Sequence, residues 1–344
     1  MRVGLVTGER AIELKDFPEP AVSPGKAVVE IGYCGICGTD LHAFLSGAPY
    51  NPAICGHEWV GAVAAVDAAV DTCREGDRVA LGARTACGRC NSCARGDAEH
   101  CEVAFAAIIG QGPLAAPHGG FAPRIAIDGS RLFEVANALS DEQAAILEPT
   151  AIAVHAVRRT DIRLGDSVIV IGGGPIGLLV GQCARAAGAG TLVLLEPQPA
   201  RQAIGTALGF DLILDPRSPD AAERLAAHVG GAGADVVFEC AGIPATINES
   251  VDRVRRGGVV SLVGVPSAPA EIMAAQWLAK EVRVQTSIAA LREEFLIAQD
   301  LVVAGRVDVL PLHTDTVGLA DMGSAFAALA ESPNQVKVLV DPRR

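Results

Sequence analysis

The second half of the chain alternates short apolar runs with alanine-rich segments of mixed polarity, and this rhythm predicts strands separated by helices. The runs are apolar on both faces, which is typical of parallel strands that are covered by helices on both sides. Glycines that follow several of the alanine-rich segments indicate helix ends. The predicted strands are 167–171, 191–195, 211–214, 235–240, 259–265 and 282–288.

The first part of the chain has a different pattern, in which apolar and polar residues alternate over short stretches that are separated by prolines. A period of two favours short antiparallel strands, and similar stretches recur as far as residue 127. Residues 336–340 form a further strand-like run that could return to this part. We therefore predict an α/β protein with a mostly β domain of residues 1–152 and 291–344 and a doubly wound, parallel-sheet domain of residues 153–290.

Composition and charge exclude several classes of binding partner. The 344 residues carry a net charge of -12 and no basic cluster, which argues against binding to nucleic acid or to an anionic membrane. The longest apolar run, 168–180, is interrupted by Gly172 to Pro175, so we expect no membrane span. The first eight residues turn too soon for a signal peptide, and we expect the ten cysteines to lie in a reducing, cytoplasmic setting.

Four cysteines stand close together in a polar, glycine-bearing segment, residues 87–101. They are Cys87, Cys90, Cys93 and Cys101, in the spacing C-x2-C-x2-C-x7-C. This spacing places four thiolates around one ion, as in a closed structural zinc site. The alternative is a pair of disulfides, which suits a small secreted domain better than a long chain without an export signal. We predict structural zinc in this segment.

A glycine-rich turn follows the first predicted strand of the parallel sheet and opens a helix. Gly172, Gly174 and Gly177 fit the spacing G-x-G-x-x-G, which allows a tight turn, close approach of a pyrophosphate and close packing of helix on strand. Glu196 ends the next strand and is expected to bind the adenosine ribose, which favours NAD over NADP; a solvated loop carboxylate is the alternative. The predicted cofactor-binding residues are Gly172, Gly174, Pro175, Ile176, Gly177, Glu196 and Arg201.

A second metal site is indicated in the mostly β domain. Cys37, His57 and Glu58 offer a thiolate, an imidazole and a carboxylate, and mixed ligands with one open position describe catalytic zinc. Glu148 is the candidate for a further ligand. Taken singly, Cys37 could be a buried thiol and His57 a core histidine, but together they favour a metal.

These motifs, in this order, resemble those of the zinc-dependent medium-chain dehydrogenases, the alcohol dehydrogenase superfamily. The resemblance is carried by residues 37–42, 56–58, 87–101, 172–177 and 336–338, nearly from end to end. It implies a GroES-like catalytic domain and a Rossmann domain. Where alcohol dehydrogenases proper have a second cysteine ligand, this chain reads Leu147-Glu148-Pro149, which is similar to the polyol, threonine and 2,3-butanediol branch, where the glutamate can coordinate zinc.

The resemblance also implies a mechanism. Zinc acts as a Lewis acid on the substrate oxygen, Thr39 hydrogen-bonds that oxygen, and the proton passes through the nicotinamide ribose to His42 while hydride goes to NAD+. Asp40 is expected to orient His57. Glu58 is expected either to support the site or to be a transient ligand.

We therefore expect an NAD-dependent dehydrogenase of a secondary alcohol or vicinal diol, with two zincs per chain and a small-molecule substrate. Sugar-alcohol, threonine or aldose dehydrogenase is the alternative within the class. A zinc-free quinone reductase and a non-catalytic dinucleotide-binding protein are the alternatives outside it. A homodimer or homotetramer is usual in the family, and the sheet edge near residues 259–265 is the expected interface.

Overall fold

Two β-sheets of different construction form the frameworks of two units in the computed structural model of the protein, which describes residues 1–83, 85–332 and 334–344. The first unit comprises Met1–Ala151, Ala289–Val303 and His313–Arg344, and the second comprises Ile152–Ile288 and Ala304–Leu312. The sequence-based division had placed 304–312 in the first domain. This segment joins the second unit because Asp308 exchanges two backbone hydrogen bonds with the amide side chain of Gln182.

The strands are β1 (Arg2–Gly8), β2 (Ala11–Asp16), β3 (Lys26–Gly35), β4 (Glu58–Val66), β5 (Arg78–Leu81), β6 (Arg124–Asp128), β7 (Leu132–Glu134), β8 (Ser167–Ile171), β9 (Thr191–Leu195), β10 (Leu212–Leu214), β11 (Ala234–Glu239), β12 (Val254–Leu262), β13 (Arg283–Thr286), β14 (His313–Gly318) and β15 (Lys337–Asp341). The helices are α1 (Gly38–Ser46), α2 (Asn91–Ala94), α3 (Glu102–Ile108), α4 (Asp141–Ala144), α5 (Leu147–Arg158), α6 (Pro175–Ala187), α7 (Pro199–Ala207), α8 (Ala221–Val229), α9 (Pro244–Arg253), α10 (Ala274–Lys280), α11 (Arg292–Val303) and α12 (Met322–Glu331). No helix in the described ranges is both long enough and apolar enough to cross a membrane.

The first unit is built on a mostly antiparallel sheet with the strand order β14-β15-β3-β4-β5-β7, and β6 also pairs with β3. Large apolar side chains from β4, α12 and the loop before β6 fill its core, among them Trp59, Phe121 and Phe326. Strand β15 lies between β14 and β3, with Leu339 opposite Gly35. This pairing brings the start of β15 to the segment that joins β3 to α1, where the predicted metal ligand Cys37 lies.

The second unit is built on a parallel sheet with the strand order β10-β9-β8-β11-β12-β13. Its strands are buried on both faces, as the apolar runs predict; Ile169, Val193 and Val237 are fully buried. The order reverses between β8 and β11, and ligands of such sheets bind at the carboxyl ends of the strands next to this reversal. The glycine-rich turn follows β8, so it lies at that point.

The predicted α/β class, with a mostly β first part and a parallel sheet in the second, agrees with this architecture. The prediction that residues 259–265 lie at an edge of the parallel sheet is wrong. The sheet edge nearest to residues 259–265 is formed by β13, whereas residues 259–262 belong to β12 and pair with strands on both sides. The apolar run 259–265 reflects this interior place, because an interior strand is covered on both faces.

Candidate active site

The four clustered cysteines converge in the structure as the spacing predicts. One sulfur from each of Cys87, Cys90, Cys93 and Cys101 lies within 4.8 Å of the others. Backbone amides point at the sulfurs: Cys90 N donates to Cys87 Sγ at 3.3 Å, and Cys87 N donates to Cys101 Sγ at 3.3 Å. The amide of Cys93 lowers the pKa of the Cys90 thiol to about 6. Four converging sulfurs, with backbone amides directed at two of them, fit a tetrahedral zinc ion.

The second cluster is formed where β3, α1 and β4 meet. Ligand atoms of Cys37, His57 and Glu58 lie within 4.8 Å of one another. Cys37 is the residue before α1, and its sulfur accepts a hydrogen bond from Thr39 N at 3.5 Å. His57 and Glu58 are adjacent at the start of β4. A thiol, an imidazole and a carboxylate in this arrangement provide the mixed donors that catalytic zinc uses.

The ring of His57 is oriented by a backbone carbonyl. Its Nδ1 lies 2.9 Å from the carbonyl oxygen of Ile54, so Nδ1 is the protonated nitrogen and Nε2 is left as a metal ligand. Burial opposes a charged imidazolium, but the neighbouring Cys37 and Asp40 outweigh it and raise the pKa of His57. The surplus of negative charge around the ring is the environment that a divalent cation requires.

Asp40 has a different role from the predicted one. Its buried carboxylate accepts hydrogen bonds from Cys37 N at 2.9 Å, from Gly56 N at 3.1 Å and from the hydroxyl of Tyr50 at 2.7 Å. We predicted that Asp40 orients His57, but in the structure the ring of His57 is hydrogen-bonded to the carbonyl oxygen of Ile54 instead. The reason is that Asp40 is the third residue of α1 and turns back to cap it. It thereby fixes the backbone on both metal-ligating segments.

Tyr50→Phe tests this arrangement, because it removes one hydrogen bond to Asp40 and keeps the ring. Outer residues that orient metal ligands typically contribute 10–100-fold to metal affinity or activity, so we expect the zinc dissociation constant of the exchangeable site to rise by roughly 10-fold. Competition with a colorimetric chelator measures this constant. Tyr33→Phe is the control, since that hydroxyl belongs to the same unit but not to the Asp40 network. Equal affinity in wild type and Tyr50→Phe would contradict the role.

Glu58 is held by a lysine that the sequence reasoning left without a role. Lys337 Nζ lies 2.5 Å from Glu58 Oε2 and 3.0 Å from the carbonyl oxygen of Ile36, and both side chains are 2% exposed. Burial opposes the ammonium charge, but Glu58 outweighs it and raises the pKa of Lys337. One carboxylate oxygen of Glu58 is therefore committed to an ion pair. The sequence feature that could have indicated a buried ion pair is a lysine at the start of an otherwise apolar strand.

Glu148 lies in the first turn of α5, and with His57 it lines a cavity of about 30 Å³. The rest of the lining is largely apolar and includes Leu81, Ile108 and Phe295. Burial raises the pKa of Glu148 to about 7. Glu148 lines the same cavity as the imidazole of His57, which is compatible with a place in the ligand set, and this role of Glu148 stays a prediction.

Thr39 and His42 are exposed on α1, three residues apart and thus on one side of the helix. The hydroxyl oxygen of Thr39 lies 3.7 Å from Cys37 Sγ, so it borders the predicted metal position. This placement is compatible with a proton relay that begins at Thr39 and ends at His42, and the relay stays a prediction.

The glycine-rich turn has the shape that a dinucleotide needs. Gly172 has φ 101°, and a Cβ at Gly177 would lie 1.9 Å from the carbonyl oxygen of Gly172. Gly174 precedes α6, has no side-chain cap and has open space at its Cβ position; Pro175 and Ile176 begin the helix. The free amides of this helix start fit the pyrophosphate of NAD(P).

Glu196 is buried, and both its carboxylate oxygens bind backbone. Oε2 accepts from Gly173 N at 2.6 Å, and Oε1 accepts from Gln198 N at 2.8 Å. The alternative of a solvated carboxylate is therefore wrong. Glu196 ties the glycine turn to the end of β9. Within the described residues, the buried Nε of Arg201 has no hydrogen-bond partner, which fits an anionic or hydroxyl-rich ligand beside α7.

Comparison with known proteins covers both units. Residues 23–137 match the alcohol dehydrogenase GroES-like domain, and residues 175–304 match the zinc-binding dehydrogenase family. Sorbitol dehydrogenase of Bacillus subtilis (strain 168) is 31% identical over 353 residues, which cover 100% of this chain and 98% of that protein. (R,R)-butanediol dehydrogenase of the same strain is 32% identical and covers 97% of each chain.

A solved structure shares the fold throughout. It is the crystal structure of a Sinorhizobium meliloti 1021 protein described as a zinc-binding dehydrogenase, bound to NADP. It is 29% identical, has a TM-score of 0.84, and covers 99% of this chain and 99% of its own. The predicted fold class is thereby confirmed for both parts of the chain.

Proposed function

This chain belongs to the zinc-dependent medium-chain dehydrogenases, oxidoreductases that act on CH–OH groups with zinc and NAD(P), and we propose that it interconverts a secondary alcohol or vicinal diol and the corresponding ketone. The observation that carries the proposal is the approach of Cys37 and His57 ligand atoms beside a cavity that Glu148 also lines. Such a set leaves one coordination position for a substrate oxygen.

Each residue of the site has a separate role in the proposed reaction. Cys37, His57 and Glu148 hold the zinc. Bound zinc supplies Lewis acidity, and bound nicotinamide supplies the hydride acceptor. The Thr39 hydroxyl would take up the alcohol proton at Oγ1 as it passes its own proton on toward His42, which would release a proton to solvent.

The substrate class rests on two arguments. The relatives named above act on a hexitol and on a vicinal diol, as their names state. The largely apolar lining of the small cavity favours a short diol over a long hexitol, because a hexitol requires several polar partners. Sugar-alcohol oxidation is the second candidate.

A substrate panel tests the proposal. Purified protein is given 2,3-butanediol stereoisomers, simple secondary alcohols, sorbitol, xylitol, threonine and glucose, each with NAD+ and with NADP+, and absorbance of the reduced nicotinamide is followed. We expect chelator-sensitive turnover of the diols above the other classes. Absence of turnover with every alcohol, in protein that holds two zincs per chain, would contradict it.

NAD is the proposed cofactor, because the buried carboxylate of Glu196 opposes a 2′-phosphate at the end of β9. We expect kcat/KM to be at least about 10-fold higher with NAD+ than with NADP+, which corresponds to about 1.4 kcal/mol. Glu196→Gln keeps the shape but removes the charge, and it should narrow this ratio. Higher efficiency of the wild type with NADP+ would contradict the assignment.

We also propose that the chain forms homo-oligomers through the free edge of the second sheet, in the reducing cytoplasm that suits its zinc-binding thiols. Val284 of β13 is 37% exposed, and Leu278 of α10, the helix that precedes β13 in the chain, is 78% exposed. A sheet edge that presents unpaired backbone groups pairs readily with a second copy. Light scattering should give a dimer or tetramer, and Val284→Lys should shift it toward monomer. A wild-type monomer at micromolar concentration would contradict the proposal.

A further inference from the structure

One buried side chain stands between two cavities of the first unit. Arg131 is 7% exposed and lines the small cavity of about 30 Å³ that His57 and Glu148 also line. It lines a second cavity, of about 240 Å³, beside α3 as well, and no other described residue lines both. The consecutive residues Ala107 and Ile108 line one cavity each, so the two volumes lie close together. Arg131 therefore forms a partition between the predicted metal ligands and the larger volume.

Hydrogen bonds hold this partition in place. Nε of Arg131 donates to the carbonyl oxygen of Gly82 at 3.3 Å, and Nη1 donates to that of Ala107 at 2.8 Å. The amide of Gly82 donates in return to the carbonyl oxygen of Arg131 at 2.8 Å. A free arginine side chain has many rotamers, so these bonds keep it across the space between Gly82 and α3.

The charge of Arg131 is matched by carboxylates on both sides of the partition. Burial lowers the pKa of Arg131 to about 10, and Asp128 and Glu148 counteract this shift through space, so the guanidinium stays protonated at neutral pH. Asp128 lines the larger cavity with Glu102, and Glu148 lines the smaller one. These carboxylates leave no surplus of positive charge, so both cavities favour a neutral substrate.

The two cavities suit neutral substrates of different length. The small cavity is largely apolar and leaves little room beyond the reacting end of a substrate. The larger cavity offers the polar groups of Glu102, Gln111 and Asp128. A chain of hydroxyl groups requires several polar partners of this kind. The partition therefore separates the predicted reaction site from the space that suits a polyol.

We propose that Arg131 determines the length of the substrate, because it closes the cavity at His57 and Glu148 so that a short diol fits and a longer polyol does not. A smaller residue at this position joins the two cavities and lets the hydroxyl groups of a polyol reach the polar lining of the larger one. This inference rests on the proposed dehydrogenase activity and adds a specificity-determining residue to it.

Arg131→Ala and Arg131→Met test the partition, because both remove the charge and the hydrogen bonds, whereas only alanine removes the bulk. The kcat/KM is measured for 2,3-butanediol, xylitol and sorbitol, which increase in chain length. We expect Arg131→Ala to raise the ratio of kcat/KM for sorbitol to that for butanediol by roughly 10-fold or more, since the fit of one methylene group is worth about 10- to 200-fold in discrimination. Arg131→Met should keep the wild-type ratio.

Two further variants control for folding and for the loss of an arginine as such. Arg131→Asn retains amide donors on a shorter side chain, and it should raise the ratio even if Arg131→Ala does not fold. Arg292→Ala should leave the ratio unchanged, because Arg292 also bonds to backbone carbonyls, those of Ser130 and Leu132, without lining either cavity. The inference is overturned if Arg131→Ala and Arg131→Met change the ratio equally, if neither alanine nor asparagine raises it, or if the wild type oxidises sorbitol as efficiently as butanediol.

Binding of xylitol separates this inference from the proposed activity. The melting temperature of the zinc-loaded protein is measured with and without xylitol. Polyols stabilise proteins in general as excluded osmolytes, so the increments of wild type, Arg131→Ala and Arg131→Met are compared with one another. A larger increment in Arg131→Ala supports the joined cavity even if no alcohol is oxidised, in which case only the proposed activity fails. Equal increments in all three, with no turnover of any alcohol, overturn the inference.

Discussion

Cys37→Ser is expected to abolish turnover while leaving the protein folded. The substitution replaces the thiolate in the cluster with His57 and Glu58 by a weaker ligand, and the exchangeable zinc should be lost with it. Lewis-acid stabilisation by a metal amounts to several kcal/mol, so we expect kcat to fall by about 10³-fold or more. Steady-state kinetics and zinc analysis of the same sample check both effects.

Cys93→Ser serves as the matched control, since it exchanges the same atoms in the four-thiol cluster. That cluster orders a polar segment, so its loss should lower stability by about 1–3 kcal/mol and reduce soluble yield. The fraction that remains folded should retain most of its kcat. Normal turnover in Cys37→Ser, or equal loss of kcat in both variants, would show that the two metal sites are assigned wrongly.

Lys337→Met is expected to cause the largest loss of stability of any single change considered. It leaves the carboxylate of Glu58 buried without its cation, and breaking a buried ion pair in this way costs about 3–5 kcal/mol. Urea unfolding followed by the fluorescence of buried Trp59, in a Trp277→Phe background, reports on the first unit. The urea concentration at the midpoint of unfolding should therefore be lower in Lys337→Met than in the wild type.

The double variant Glu58→Gln/Lys337→Met distinguishes the ion pair from simple loss of packing. Once the carboxylate is neutral, the absence of the lysine should cost far less, so the double variant should be more stable than Lys337→Met alone. If the two variants unfold at the same urea concentration, the loss of stability comes from packing and not from the unpaired carboxylate of Glu58.

Local spacing was sufficient to predict several features. The glycine turn, the four-thiol cluster and the approach of Cys37 to His57 depend on residues that are close in the chain or on strands with strong apolar patterns. These features are specified by short-range geometry, namely the turn that each motif forms and the helix or strand that follows it.

Partners that depend on the direction of a side chain or that come from distant segments were not predictable. Ile54 rather than Asp40 orients His57, because the direction of a side chain near a helix start depends on the cap that it forms. Lys337 reaches Glu58 only because β15 inserts between β14 and β3. No motif in the sequence marks Arg131, and only the structure shows that it is buried beside two cavities.

Because β15 inserts next to β3, the first sheet cannot be completed until the end of the chain has been synthesised. Glu58 and Lys337 are 279 residues apart. At about 5–20 residues per second, the ribosome needs roughly 14 to 56 s between them. The parallel sheet of the second unit, β8 to β13, is complete before then. During this interval a nascent chain exposes the part of β3 that pairs with β15, at Cys34 and Gly35, together with an acid that lacks its cation, so this end of β3 is a segment that a chaperone can protect.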